Sequence, residues 1–143
     1  ELGVYIMEYK LPYKDIILNL DKETYILGQD GAEGKTYLFK LLQTVSQRPE
    51  ERGRLFLQTY QRDLQAIELS KRLESFKGEL VMLDRLDLYW CNELRDALRN
   101  LTGKVCILLD LKSNDYIMQL AVQPVDFTMG KDWVKVQKYA DDF

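Results

Sequence analysis

The sequence predicts an α/β domain in which a mainly parallel β-sheet is covered by helices on both faces. Three observations carry this expectation. β-rich apolar runs alternate with stretches of helical spacing along most of the 143 residues. Two of the runs, GELVMLD (78–84) and KVCILLD (104–110), are almost continuously apolar, as in strands buried on both faces. Polar or glycine-rich segments, Gly28–Thr36, Asp84 and Asp110–Asn114, follow three of the expected strands, where open α/β sheets bind their ligands.

Taken in order, Asp15–Leu20 and Thr24–Leu27 are β-rich runs around the polar turn Asp21-Lys22-Glu23, and they read as an N-terminal β-hairpin. From Lys35 to Val45 the apolar residues Leu38, Phe39, Leu41, Leu42 and Val45 recur at helical spacing. Arg54–Tyr60 alternates like a strand. Asp63–Phe76 is an amphipathic helix through Leu64, Ile67, Leu69 and Leu73, stopped at Gly78. Leu88–Leu101 is a further helix, with Leu94, Ala97, Leu98 and Leu101 on one side and Gly103 after it. The C-terminal stretch reads as β-strands with a turn at Gly130-Lys131-Asp132. No repeat, low-complexity segment or Pro/Gly/Ser linker divides the chain, so residues 1–143 are expected to form a single domain.

Composition narrows the chemistry. Apolar residues make up 46% and charged residues 30%, the balance of a globular chain. A net charge of −3 offers no basic footprint for nucleic acid or an anionic membrane. No apolar run approaches the ~18 residues of a membrane span, and ELGVYIMEYK lacks the pattern of a signal peptide. Cys91 and Cys106 lack metal-ligand spacing and read as reduced core residues, so the expected location is cytoplasmic. The chain contains no histidine, which removes Ser-His-Asp and Cys-His nucleophiles and histidine-ligated zinc. Chemistry must then run on carboxylates, lysine, arginine, hydroxyls or a bound Mg²⁺.

One stretch concentrates such groups: TYILGQDGAEGKTYLFKLL (24–42), a strand, a glycine-rich turn, Gly-Lys-Thr and a helix. Backbone N–H groups of such a loop can curl around a phosphate, and glycine is needed where a Cβ would block the approach. With YKDIILNLDKETYILG before it, the segment resembles the start of a P-loop NTPase of the AAA/ABC-like ATPase division. The resemblance follows the order of elements through about residue 114 and is specific around Gly28–Thr36 and Leu80–Asp84. It implies a three-layer P-loop NTPase-like sandwich, with the mainly parallel sheet flanked by the N-terminal hairpin and the C-terminal strands. Nucleotide would lie against Gly28, Gln29, Asp30, Gly31, Ala32, Glu33, Gly34, Lys35 and Thr36.

The loop departs from the family spacing of Gly, four residues, Gly-Lys-Ser/Thr. Gln29 stands where the first glycine belongs, and Gly28 is one residue early. Asp30 and Glu33 place two negative charges beside a polyphosphate, so the expected affinity is weak. The resemblance also implies that LVMLD (80–84) ends in a metal-binding aspartate, with Thr36 and Asp84 organising Mg²⁺ and Lys35 on the phosphates. The residue after Asp84, often a water-orienting glutamate in the family, is Arg85; Asp87 and Glu93 are the nearby substitutes, and Asp87 joins Lys35 and Asp84 as a catalytic candidate. The ABC signature Leu-Ser-Gly-Gly-Gln is absent, with only Leu69-Ser70 in place. Asp110, Ser113 and Asn114 are candidate γ-phosphate sensors, Asn114 the preferred one. Arg48, Arg52 and Arg54 are candidate arginine fingers in trans or a solvated turn, and Tyr89-Trp90 is a partner contact or core packing.

The expected function is Mg²⁺-dependent ATP binding with slow or partner-stimulated hydrolysis. The alternative is a degenerate domain acting as a non-hydrolysing interaction or regulatory module. Either reading calls for a protein partner or a homo-oligomer, because 143 residues leave room for little beyond a nucleotide core.

Overall fold

The computed structural model describes residues 5–27, 32–111 and 120–138. Its elements are β1 (Tyr5–Leu11), β2 (Lys14–Leu20), β3 (Thr24–Ile26), α1 (Ala32–Ser46), β4 (Leu55–Gln58), α2 (Ala66–Glu74), β5 (Leu80–Leu83), α3 (Asn92–Leu101), β6 (Cys106–Leu109), β7 (Gln123–Met129) and β8 (Trp133–Lys138). Short 3-10 turns occupy Pro49–Glu51 and Leu86–Leu88. All eight strands join one sheet in the order β1-β2-β8-β7-β3-β6-β5-β4.

The expected three-layer sandwich on a mainly parallel sheet is corrected by this topology. The sheet is mixed and strongly curled into a half-barrel, with three α-helices among the described residues. Two antiparallel hairpins, β1–β2 and β7–β8, form one half of it. The parallel run β3-β6-β5-β4 forms the other. Packing explains the curl. Leu38, Leu41, Leu42 and Val45 of α1 share one core with Leu18 and Leu20 of β2, Val134 and Val136 of β8, and Leu80 and Met82 of β5. For strands so far apart in the sheet to share that core, the sheet must bend around it, and burial of these side chains stabilises the bend.

The opposite face of the parallel half is covered by α2 and α3. Side chains alternate along β5 with period two: Leu80 and Met82 face α1, whereas Val81 and Leu83 join Leu69, Leu73, Leu94, Ala97 and Leu98. Every residue of β5 and β6 is at most 1% exposed, which accounts for their continuous apolar character. The two helices end differently. Gly103, at φ +89, reverses the chain after α3 and donates its N–H to the Lys22 carbonyl at 2.9 Å.

The N-terminal hairpin is also corrected. β2 does not pair with β3; it pairs antiparallel with β1 and parallel with β8. β3 lies instead between β6 and β7. The strand missing from the sequence reading is β1, joined to β2 by the two-residue turn Pro12-Tyr13. Among the described residues no helix is long and apolar enough to cross a membrane.

Candidate functional site

The parallel register of β5 and β6 sets Leu83 opposite Leu109, so the next residues, Asp84 and Asp110, emerge side by side at the carboxyl end of the sheet. Backbone bonds hold both: Asp84 N–H donates to the Gln58 carbonyl at 2.8 Å, and Asp110 N–H to the Leu83 carbonyl at 3.0 Å. β3 is the next strand over, with Ile26 opposite Leu109, and the chain leaving it enters α1. That placement brings Lys35 Nζ to 2.7 Å from Asp110 Oδ1, with the two side chains only 12% and 8% exposed. Thr59, just beyond β4, donates its hydroxyl to Asp84 Oδ2 at 3.0 Å.

The two carboxyls titrate apart. Burial pushes Asp84 above the usual carboxylate range, and its hydrogen bond to Asp110 adds to that, against the opposing bond from Thr59. Burial works against ionisation of Asp110 as well. There it is outweighed by hydrogen bonds from Asp84 and Lys35, the lysine charge and the Arg85 backbone N–H, which hold Asp110 low. The last proton of the pair therefore belongs on Asp84, and the negative charge on Asp110 faces the Lys35 ammonium. Tyr89 closes the cluster from below: its hydroxyl donates to the Asp84 carbonyl at 2.8 Å and its ring stacks on Tyr60. Burial and three nearby aspartates push the Tyr89 phenol up, so it stays a neutral donor.

Of the other residues singled out in the sequence, Gly28, Gln29, Asp30, Gly31, Ser113 and Asn114 lie outside the described residues, as do the side chains of Ala32 and Glu33. Gly34 has a packing reason to be glycine: a Cβ there would sit 2.8 Å from the Phe127 ring of β7. Thr36 is exposed, and Thr59 supplies the hydroxyl bonded to Asp84. Asp87 accepts from the Arg85 guanidinium at 3.4 Å. Two of the three candidate arginine fingers are engaged within the chain, Arg48 with the Lys10 carbonyl and Arg54 with Glu79 and Glu51. Tyr89 is buried and Trp90 packs against the core of α2 and α3, which favours packing over partner contact.

The resemblance to P-loop NTPases is corrected here too. α1 starts at Ala32, so Gly34-Lys35-Thr36 lie within its opening turns. Lys35 is neutralised by a carboxylate of its own chain, and the sheet is a mixed half-barrel. Thr59 was missed in the sequence because its role depends on β4 lying beside β5, a pairing that no local pattern encodes.

Arg85 adopts a left-handed backbone, φ 52 and ψ 48, which aims its N–H at the Asp110 carboxylate. A side chain there costs about 1 kcal/mol. The Arg85–Asp87 contact is long, with the arginine 31% exposed, and is worth a few tenths of that. Arg85→Gly is therefore expected to stabilise the fold by about 0.5 kcal/mol, read as a higher urea midpoint at unchanged slope. A lower midpoint would show that the arginine contacts outweigh the strain.

The residues fit Mg²⁺ in one respect. Asp84 and Asp110 supply two adjacent carboxylates, and Mg²⁺ commonly takes one or two, with water and phosphate completing its shell. Among the described residues no group of three ligating acids occurs. For a phosphate the cation is Lys35, shared with Asp110.

No protein-family model matches the chain, and no curated protein matches it. Among solved structures, the chain is similar to one from the crystal structure of the complex of archaeal ribosomal stalk protein aP1 and archaeal ribosome recycling factor aABCE1. The superposition has a TM-score of 0.47 and 13% identity, covering 95% of this chain and 38% of that one. The chain thus spans well under half the length of its match, and a likeness this distant fixes neither family nor function.

Proposed function

We propose that the Lys35–Asp84–Asp110 cluster binds Mg-ATP, with slow or partner-stimulated hydrolysis. The observation that carries this reading is the convergence of one lysine and two carboxylates at the carboxyl ends of β5 and β6, beside the head of α1. Lys35 and the positive end of the helix would attract phosphates. Asp84 and Asp110 would hold Mg²⁺, whose charge offsets that of the phosphates.

Each step of binding has a competitor inside the protein. Phosphate must draw Lys35 from Asp110, and the metal must displace the proton of Asp84. Weak affinity is the expected consequence. Among the described residues the position after Asp84 offers no base for hydrolysis, since it is Arg85, which holds Asp87 in an ion pair. A protein partner would supply that group. Unpaired Cys91 and Cys106 suit a reducing compartment, and a cytoplasmic location is inferred from them.

A second reading, a non-hydrolysing interaction module, is favoured by the closed Lys35–Asp110 pair. Thermal unfolding with and without Mg-ATP separates the two. Ligand at ~100 times its Kd adds ~2.7 kcal/mol and raises the midpoint by several degrees. The expected result is a shift in the wild type that is lost in Lys35→Ala, each measured against its own ligand-free baseline. No shift at millimolar Mg-ATP in either protein would leave the module reading.

A further inference from the structure

Among the described residues the half-barrel leaves two strand edges, β1 and β4. They are treated differently. β4 has four residues and is guarded by Arg72, which lies over the Phe56 ring and reaches the Gln58 side chain. β1 has seven residues. Its turn to β2 makes Leu11 and Lys14 the closing hydrogen-bonded pair, so Met7 and Tyr9 also bond to β2. By the same alternation Ile6, Glu8 and Lys10 direct their backbone N–H and C=O away from β2. Arg48 confirms the direction by donating its guanidinium to the Lys10 carbonyl from that side. Met7, Tyr9 and Leu11 are buried on the concave face, while Glu8 and Lys10 project into solvent on the convex one.

We propose that the outer edge of β1 pairs antiparallel with β1 of a second copy of this chain, about a two-fold axis at Tyr9. The charge pattern selects this partner and register. Centred on Tyr9, Glu8 of each copy falls directly opposite Lys10 of the other, on the same face of the joined sheet. Centring on Glu8 or on Lys10 would instead bring like charges together. In the favoured register Glu8 and Lys10 are also the outward-bonding residues, so each of the two cross-pairs exchanges two backbone bonds. Tyr13, 59% exposed at the end of the same edge, falls opposite position 5 of the second copy and adds apolar area to the contact. The bond from Arg48 to the Lys10 carbonyl uses one of the same acceptors, so Arg48 competes with pairing and restrains it.

Sedimentation velocity of the full chain across the micromolar range tests this. The wild type is expected to show a concentration-dependent dimer. Glu8→Lys and Lys10→Glu each create two like-charged cross-pairs and should each weaken the dimer about tenfold. The double swap E8K/K10E should restore it, and a mixture of the two single variants should form a heterodimer. Arg48→Ala should tighten it. The swaps also break the intrachain contacts of Lys10 with Glu8 at 3.5 Å and Asp15 at 3.7 Å, but these side chains are exposed and such surface pairs contribute little, so the fold survives the changes. A monomer at every concentration in wild type and Arg48→Ala, or a dimer indifferent to the swaps, overturns the proposal.

Discussion

Gly78→Ala is expected to destabilise the fold by about 3 kcal/mol, the upper range for forcing atoms into a packed site. A Cβ at position 78 would lie 2.3 Å from the Phe76 ring, 2.5 Å from the Arg54 carbonyl oxygen and 2.6 Å from that of Gly53. Phe76 has room to swing only by giving up its edge contact with Phe56. The carbonyls are less able to yield. Arg54 C=O accepts from both Glu79 N–H at 2.8 Å and Leu80 N–H at 3.2 Å, the bonds that start the β4–β5 pairing. Glu79 in turn accepts from Tyr9 at 2.5 Å and Arg54 at 2.7 Å, tying β1 to the base of β5. Moving the Arg54 carbonyl loosens that junction. For a chain of this size the midpoint should fall by roughly 6–12 °C. Gly53→Ala is the control: its φ is +80 but nothing lies within 4 Å of the added Cβ, so it should cost only about 1 kcal/mol. Equal losses in the two variants would mean that the contacts at Gly78 are relieved without cost.

The helices and central strands were legible because their burial is strong and periodic. Leu38, Leu42 and Val45 are fully buried at helical spacing, and β5 and β6 are buried on both faces over four consecutive residues each. Pairing was not legible. Asp21-Lys22-Glu23 looks like a hairpin turn, yet it carries the chain from the antiparallel half of the sheet to the parallel half, and β3 is only three residues long. Curl is equally non-local, since it follows from β2, β8 and β5 sharing one core with α1.

The site divides in the same way. Lys35, Asp84 and Asp110 could be picked out from polar residues at strand ends and a helix start. Their relation could not. The sequence reading set Lys35 toward a ligand, whereas the fold turns it onto Asp110, and it cast Asp84 as an ionised metal ligand where burial favours its proton. Thr59 entered only through the β4–β5 register. Residue type marked the place, and tertiary contacts decided the charge state.

Asp110→Ala is expected to cost about 3 kcal/mol, the low end for breaking a buried ion pair. The loss arises because Lys35, 12% exposed, is left without its acceptor. The low end applies because Asp84, freed of the Asp110 charge and hydrogen bond, ionises more readily and leaves a carboxylate in the cluster. The pH dependence carries a matching signature. Asp110 is held below its unfolded value, so its stabilisation is present above that value and is lost as pH falls through the folded pKa. Asp84 is raised, so its contribution is complete below the unfolded pKa and is lost as pH rises through the folded one. Asp84→Asn keeps a donor toward Asp110 and an acceptor for Thr59, and should gain stability over the wild type as pH rises from the unfolded toward the folded pKa of Asp84, with the full gain above the latter. A double-mutant cycle of Lys35→Met with Asp110→Ala should show coupling, the pair together costing less than the sum. The same variants bear on the proposed ligand. If Lys35 is the phosphate cation, Asp110→Ala releases it, and pyrophosphate without Mg²⁺ should bind more tightly to this variant than to the wild type. If pyrophosphate binds neither protein while the coupling persists, Lys35 and Asp110 form a structural pair with no phosphate role.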